Sequence, residues 1–254
     1  MILDKIIKNK QKEVEFAKVR HPLDSFKGFL DLSKRDFKRA LKQKKLALIG
    51  EIKKESPSSG MIRKDFDPVS IAEEYKESNV AAISVLTDKK YFNGDLIFLK
   101  QIRREVKKIP LLRKDFIIDE YQIYESRYYN ADAVLLIARI LTKEQIDNFI
   151  AIAKMLSMGC VVEVHDEDDL DKVLKTKADI IGINNRDLDS LRVNLNTTLR
   201  LAEKIPKNKI IIAESGYNTK NDINKIRKKA NAVLIGTSLL KAKDIKEKIK
   251  ELGL

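Results

Sequence analysis

Eight short apolar runs, separated by stretches with helical spacing, restrict the possible folds of this chain more than any other feature. They are Leu46 to Ile52, Ala81 to Leu86, Pro110 to Leu112, Ala131 to Ile137, Cys160 to Val164, Ile180 to Ile183, Ile210 to Ala213 and Ala232 to Ile235. Most of their members are β-branched or Leu with little polar alternation, the pattern of strands buried on both faces of a parallel sheet. Helix signals fall between them. Pro68 follows Asp67 at a first-turn position, and Thr142 precedes Lys-Glu-Gln-Ile as an N-cap. Asp166-Glu-Asp-Asp-Leu170 places acids where a helix N-terminus favours them, and Lys241 to Leu252 predicts a closing amphipathic helix. Eight strands each followed by a helix predict an α/β fold, the (β/α)8 TIM barrel. A doubly wound open sheet is the alternative, but no GxGxxG follows the first strand.

Residues 1–45 precede the first strand and hold two more helical segments, about 2–18 and about 33–43, with His21-Pro22 between them. They are expected to form an N-terminal helical extension packed on the barrel, because 45 residues make a very small core by themselves. Residues 46–254 are then a single catalytic (β/α)8 barrel. Aromatic residues are 6% of the 254 and Trp is absent, so the core must be built from Ile, Leu, Val and Ala.

A formal net charge of +13 suggests a polyanionic partner. Its distribution argues otherwise. Residues 1–45 carry 14 Lys and Arg against 6 acids, and residues 219–254 carry 10 against 4, which leaves 27 against 28 between them. Nucleic-acid binding needs positive charge gathered on one groove with aromatics for stacking, whereas this excess runs along the terminal helices. No nucleic-acid partner is expected. One cysteine, Cys160, and two histidines, His21 and His165, argue against an intramolecular disulfide and a multi-ligand zinc site. They fit a reducing, cytoplasmic setting. Neither a signal peptide nor an apolar run long enough to span a bilayer is present, so no membrane partner is expected. Cys160, at the start of strand 5, is expected to pack in the core, and His165 is given no role.

Function in such a barrel gathers at the C-terminal strand ends. At strands 7 and 8, Ser215-Gly216 and Gly236-Thr237-Ser238 put small residues where barrels bind phosphate, with Ser238 placed to head a short helix. Glu51 and Lys53 are two apart on a strand and share a side, while Lys114 and Glu163 are expected at neighbouring strand ends. Ionisable groups in an apolar barrel mouth are costly unless paired or used. A lysine beside carboxylates keeps its proton and can act as a general acid, and a partly desolvated glutamate can act as a base.

Several blocks also resemble one family. Glu51-Ile-Lys-Lys-Glu-Ser-Pro-Ser-Ser-Gly60, Tyr91-Phe-Asn-Gly94, Leu112-Arg-Lys-Asp-Phe-Ile117, Val162-Glu-Val-His165, Gly182-Ile-Asn-Asn-Arg-Asp-Leu188, Ala213-Glu-Ser-Gly216 and Leu234-Ile-Gly-Thr-Ser-Leu239 resemble the indole-3-glycerol-phosphate synthases, in order and across nearly the whole chain. The resemblance implies a tryptophan-pathway carboxy-lyase acting on a small phosphorylated substrate, with no metal or organic cofactor and no pathway domain fused within the 254 residues. It implies Lys114 as the acid at the ketone and Glu163 as the base. On the same resemblance Lys53 would bind the substrate carboxylate or protonate the leaving hydroxyl, Glu51 would tune the lysines, and Asn184 and Arg186 would hold the hydroxyl-bearing chain or the carboxylate. Ser56, Pro57, Phe92, Phe116, Leu135, Leu188 and Leu234 would contact the substrate, with Ser215, Gly216, Gly236 and Thr237 on its phosphate. Tyr91 stands where many relatives carry Phe, Asp95 where Ser is common, and Thr237 where Ser is common. A phosphoribosylanthranilate isomerase, the rival in the same fold, would need Cys and Asp at strand ends. Here strand 3 offers Lys114 and Cys160 lies elsewhere.

Overall fold

The structure, a computed structural model, describes residues 2–188 and 190–254. Eight parallel strands close into a barrel: β1 (Ala47–Ile52), β2 (Ala82–Leu86), β3 (Leu111–Lys114), β4 (Ala133–Ile137), β5 (Gly159–Val164), β6 (Ile180–Asn184), β7 (Ile210–Glu214) and β8 (Ala232–Ile235). Each strand pairs with its sequence neighbours, and β8 returns to β1 with Ala47 opposite Ala232. Every strand residue but three is buried, as expected for strands walled by helices outside and filled by side chains inside.

Side-chain alternation divides the core in two. One set of apolar residues, among them Leu48, Val85, Leu136 and Val233, faces the helices. The other, including Ile49, Leu112, Leu135, Val161, Ile212 and Leu234, fills the barrel. This period of two decides where polar groups emerge. Two residues beyond Ile49, Leu112, Val161 and Ile212 stand Glu51, Lys114, Glu163 and Glu214, all pointing into the mouth.

The N-terminal residues close both ends. Helix α1 (Ile2–Arg20) sets Leu3 and Ile6 against the filling at the C-terminal mouth, and the short helix α2 (Phe37–Ala40) sets Phe37 and Leu41 against the same filling at the bottom. The bottom contact is tight, because Phe37 lies against Gly159 at the start of β5. The expected helix over 33–43 is thus reduced to four residues. Asp36 caps it through the Arg39 N–H, and two 3₁₀ turns at Leu23–Ser25 and Lys27–Phe29 fill the stretch after α1. The closing helix likewise starts later than expected, at Ile245, where Asp244 caps α12 (Ile245–Leu252). Pro68, Thr142 and Asp166 stand at the helix starts as expected, Thr142 in a reciprocal capping box with Gln145. No helix among the described residues is long and apolar enough to cross a membrane.

One buried ion cluster ties α1 to the mouth. Lys10 is 4% exposed, and its Nζ sits 2.9 Å from Asp88 Oδ2, 2.9 Å from Asp115 Oδ1 and 2.7 Å from Glu13 Oε2. Asp88 caps helix α4 (Lys89–Phe92), and Asp115 follows Lys114 directly. Asp115 also accepts from Thr87 and Arg113, and Arg113 in turn donates to Glu125 on α6 (Tyr121–Tyr128). Removing one partner of a buried pair leaves charge uncompensated at a cost of about 3–5 kcal/mol. Lys10→Met is therefore expected to lower unfolding free energy by about that amount in denaturant titrations at neutral pH. A loss under about 1 kcal/mol would show that the cluster is worth no more than a surface pair.

Candidate active site

Strand alternation, the loops that follow the strands and helix α1 build one cavity of about 360 Å³ at the C-terminal mouth. Lys114, the last residue of β3, is its electrostatic centre. Its side chain is 16% exposed, and its Nζ donates to Glu163 Oε2 at 3.0 Å and to Glu214 Oε2 at 2.9 Å. β3 and β5 are not neighbours as expected from sequence, since β4 lies between them. Lysine is long enough to reach across the mouth to β5 and to β7.

These contacts set the protonation states. Burial alone would strip the Lys114 proton, but Glu163, Glu214 and Glu51 outweigh it and hold the ammonium well above its ordinary pKa. Burial likewise disfavours an ionised Glu163, yet Lys114 and His165 hold this carboxyl below its usual range. Glu214 goes the other way. Burial raises it to about 7, helped by the charges of Glu163 and Glu51 and opposed by Lys114. The mouth thus holds a charged lysine, an ionised glutamate and a second carboxyl poised to carry a proton near neutrality.

A second pair stands beside this centre. Lys53 Nζ donates to Glu51 Oε1 at 2.5 Å, and Tyr75 fixes the strand by donating to the Glu51 carbonyl at 3.0 Å. Beyond Lys53 the chain makes a small hairpin, Glu55–Ser56 against Gly60–Met61, that brings Ser56 and Pro57 to the cavity. At the end of β6 the Asn184 side-chain oxygen accepts the Arg186 N–H at 3.0 Å, which leaves its amide hydrogens for a ligand. Arg186 Nη1 donates to the Leu191 carbonyl at 2.8 Å, and the guanidinium lines the cavity from this anchor.

The apolar wall is formed by Phe92, Phe116, Leu135, Leu188 and Leu234, with the Phe92 and Phe116 rings 6.1 Å apart. Ser215, Gly216, Gly236 and Thr237 also line the cavity. Ser215 and Gly216 have φ of 67° and 92°, a reversal that suits glycine. Gly236 caps helix α11 (Thr237–Leu240), so the helix starts one residue before Ser238. First-turn amides have no carbonyl within their helix to bond and favour an anion.

All the residues expected at the site therefore line one cavity. Sequence reasoning gave no role to Glu214, although strand alternation from Ile212 points it inward. It also missed Ile2, Leu3 and Ile6, which close the cavity from α1, and no local pattern signals that packing. Cys160 is half-buried against the core, and burial pushes its thiol up to about 12, which keeps it protonated. Among the described residues no group of three or more His, Cys, Asp or Glu is arranged to hold a metal ion.

Comparison with known proteins shows the family. The profile of the family described as "Indole-3-glycerol phosphate synthase" matches residues 3–252. The chain belongs to the indole-3-glycerol phosphate synthase family. The indole-3-glycerol phosphate synthase of Alkaliphilus metalliredigens is 47% identical over 256 aligned positions, covering 99% of this chain and 98% of its own. That of Caldanaerobacter subterraneus subsp. tengcongensis is 46% identical over 254, with 99% and 98% covered. Among solved structures, a 3-hexulose-6-phosphate synthase superposes with a TM-score of 0.65 at 16% identity, over 82% of this chain and 98% of its own, which shows the shared barrel alone. The family match begins at residue 3, so it takes in the part of α1 that carries Leu3 and Ile6 to the cavity.

Proposed function

We propose that this protein catalyses the reaction for which its family is named. It closes the indole ring of 1-(2-carboxyphenylamino)-1-deoxyribulose 5-phosphate, releasing carbon dioxide and water, to give indole-3-glycerol phosphate in tryptophan biosynthesis. The observation that carries the reading is Lys114, held between Glu163 and Glu214 in a cavity lined by Phe92, Phe116 and the β7 and β8 turns.

The substrate fits these parts. Its phosphate goes to the amides and hydroxyls of Ser215, Gly216, Gly236 and Thr237, and its aromatic ring to Phe92, Phe116 and the leucines. Its carboxylate goes to Lys53 or Arg186. Lys114 then protonates the ketone oxygen as the carboxylate-bearing ring carbon attacks, and loss of carbon dioxide restores part of the ring. In the dehydration a lysine protonates the departing hydroxyl while Glu163 removes a proton. Glu51 holds Lys53 in place, and the Asn184 amide steadies the hydroxyl-bearing chain. Residues 1–45 act as an extension of one catalytic unit, residues 46–254, because they share its core at both ends. A phosphorylated substrate is retained within the cell, which fits a cytoplasmic enzyme.

The test is direct. Purified protein given the carboxyphenylamino substrate is expected to form the fluorescent indole product at equal rates with and without chelator. Folded protein that forms none would overturn the assignment.

A further inference from the structure

Glu163 is held on two sides, and only one of them faces the cavity. Lys114 takes Oε2, and on the far side His165 Nε2 lies 3.2 Å from Glu163 Oε1. The other imidazole nitrogen, Nδ1, lies 3.4 Å from Asp169 Oδ2 on α8 (Glu167–Leu174). Neither ring nitrogen makes an aligned hydrogen bond to its neighbouring oxygen, so these are close approaches that become ionic when the ring is protonated. The His165 side chain is 2% exposed and does not line the cavity. Asp169 is fixed by accepting the backbone N–H of His165 at 3.2 Å, and Arg139 Nε stands 3.8 Å from the same carboxylate. Arg139 also pairs with Asp166, the cap of α8. A neutral imidazole there would have one N–H for two carboxylates and would turn the lone pair of its other nitrogen onto a carboxylate oxygen.

We propose that His165 is a charged positioning residue for Glu163, keeping this carboxylate ionised so that the proton on Lys114 goes to substrate instead of to its neighbour. The proposal rests on the assignment of Lys114 as acid and Glu163 as base. Its physical basis is the choice open to a buried ammonium–carboxylate pair. Desolvation favours passing the proton across to give amine and carboxylic acid, which would spend the acid and the base together. A second cation on Glu163 opposes that transfer, because it stabilises only the ionised form. Lys114 Nζ then loses its proton when the ketone oxygen gains it, and Glu163 is left ionised for the later proton abstraction. No proton passes through His165. Burial lowers the imidazole's pKa, but Asp169 and Glu163 outweigh burial and raise it to about 9, so the ring is cationic through neutrality.

Two measurements test this. In the native protein carrying ¹⁵N-histidine, only His21 and His165 contribute ring signals, and the spectrum of His165→Gln identifies which is which. The His165 ring is expected to titrate near 9, and a ring that is neutral at pH 7 would overturn the proposal. In His165→Gln, kcat is expected to fall about tenfold with KM within about twofold, and the acidic limb of kcat to move up by about one pH unit or more, since Glu163 loses a cation. A pH profile superimposable on that of the native enzyme would overturn it equally. Should the variant fail to fold, a backbone-assigned spectrum of the native protein decides alone. The ring titration does not depend on turnover, so a native protein without synthase activity would count against the proposed reaction and leave the state of His165 readable.

Discussion

Replacing Lys114 by alanine is expected to lower kcat on the order of 10³-fold, the usual worth of a positioned general acid, with the barrel still formed. Near-native turnover would remove Lys114 from the acid role. A second consequence separates this residue from one that merely packs. Without the ammonium, Glu163 and Glu214 face each other across the mouth, buried and like-charged, and the pKa of each rises. In the native protein Glu163 is depressed, so its contribution to stability is present above the ordinary carboxylate range and is lost as pH falls. Glu214 is already raised to about 7, so its contribution is present in acid and is lost as pH rises through that value. In Lys114→Ala both carboxyls follow the second pattern. Its melting temperature is expected to lie well below the native one at pH 8, with the gap narrowing towards pH 5.5. A gap independent of pH would show that the lysine contributes packing rather than charge. Single-turnover measurement of ring closure and dehydration in Lys53→Ala and Lys114→Ala assigns the two acid steps between the lysines.

The barrel was legible because the strands are apolar runs and because, after β1, β4 and β5, the residue that caps the next helix also shows in the sequence. The catalytic end was legible because a period of two turns an apolar filler into a statement about its neighbour. Leu112 inside the barrel makes Lys114 a mouth residue, and the same reasoning applied to Ile212 gives Glu214. What escaped was set by contacts between distant segments. Four residues of α2 suffice because Phe37 seats against Gly159, and no helical repeat in 33–43 encodes that stop. Lys10 looks like one more charge on an exposed amphipathic helix, yet it is buried because Asp88 and Asp115 arrive from two loops. His165 is of the same kind. Its partner Asp169 is four residues away and visible in sequence, but the meaning of the pair comes from Glu163 on the other side of the ring.

Gly182 supplies the second large effect, and it tests whether the mouth tolerates displacement of Glu214. A β-carbon on this β6 residue would lie 2.2 Å from Glu214 Oε1 and 3.0 Å from Val161 Cγ1. Val161 is fully buried in the barrel filling and has little room to yield, whereas Glu214 presents the end of a longer side chain. In Gly182→Ala the carboxylate therefore moves, and its 2.9 Å contact with Lys114 is broken or redirected. Overpacking of this kind costs about 1–3 kcal/mol, and a displacement of about 1 Å in a catalytic site can cost about 10²-fold. The expected result is a folded enzyme with kcat down about 100-fold. Combining it with Glu214→Gln sharpens the test, because two changes acting through one contact do not add. The double variant should be no slower than the slower single variant. Losses that multiply would mean that Gly182 serves the barrel by another route, and native kcat in Gly182→Ala would mean that the position of Glu214 does not limit turnover.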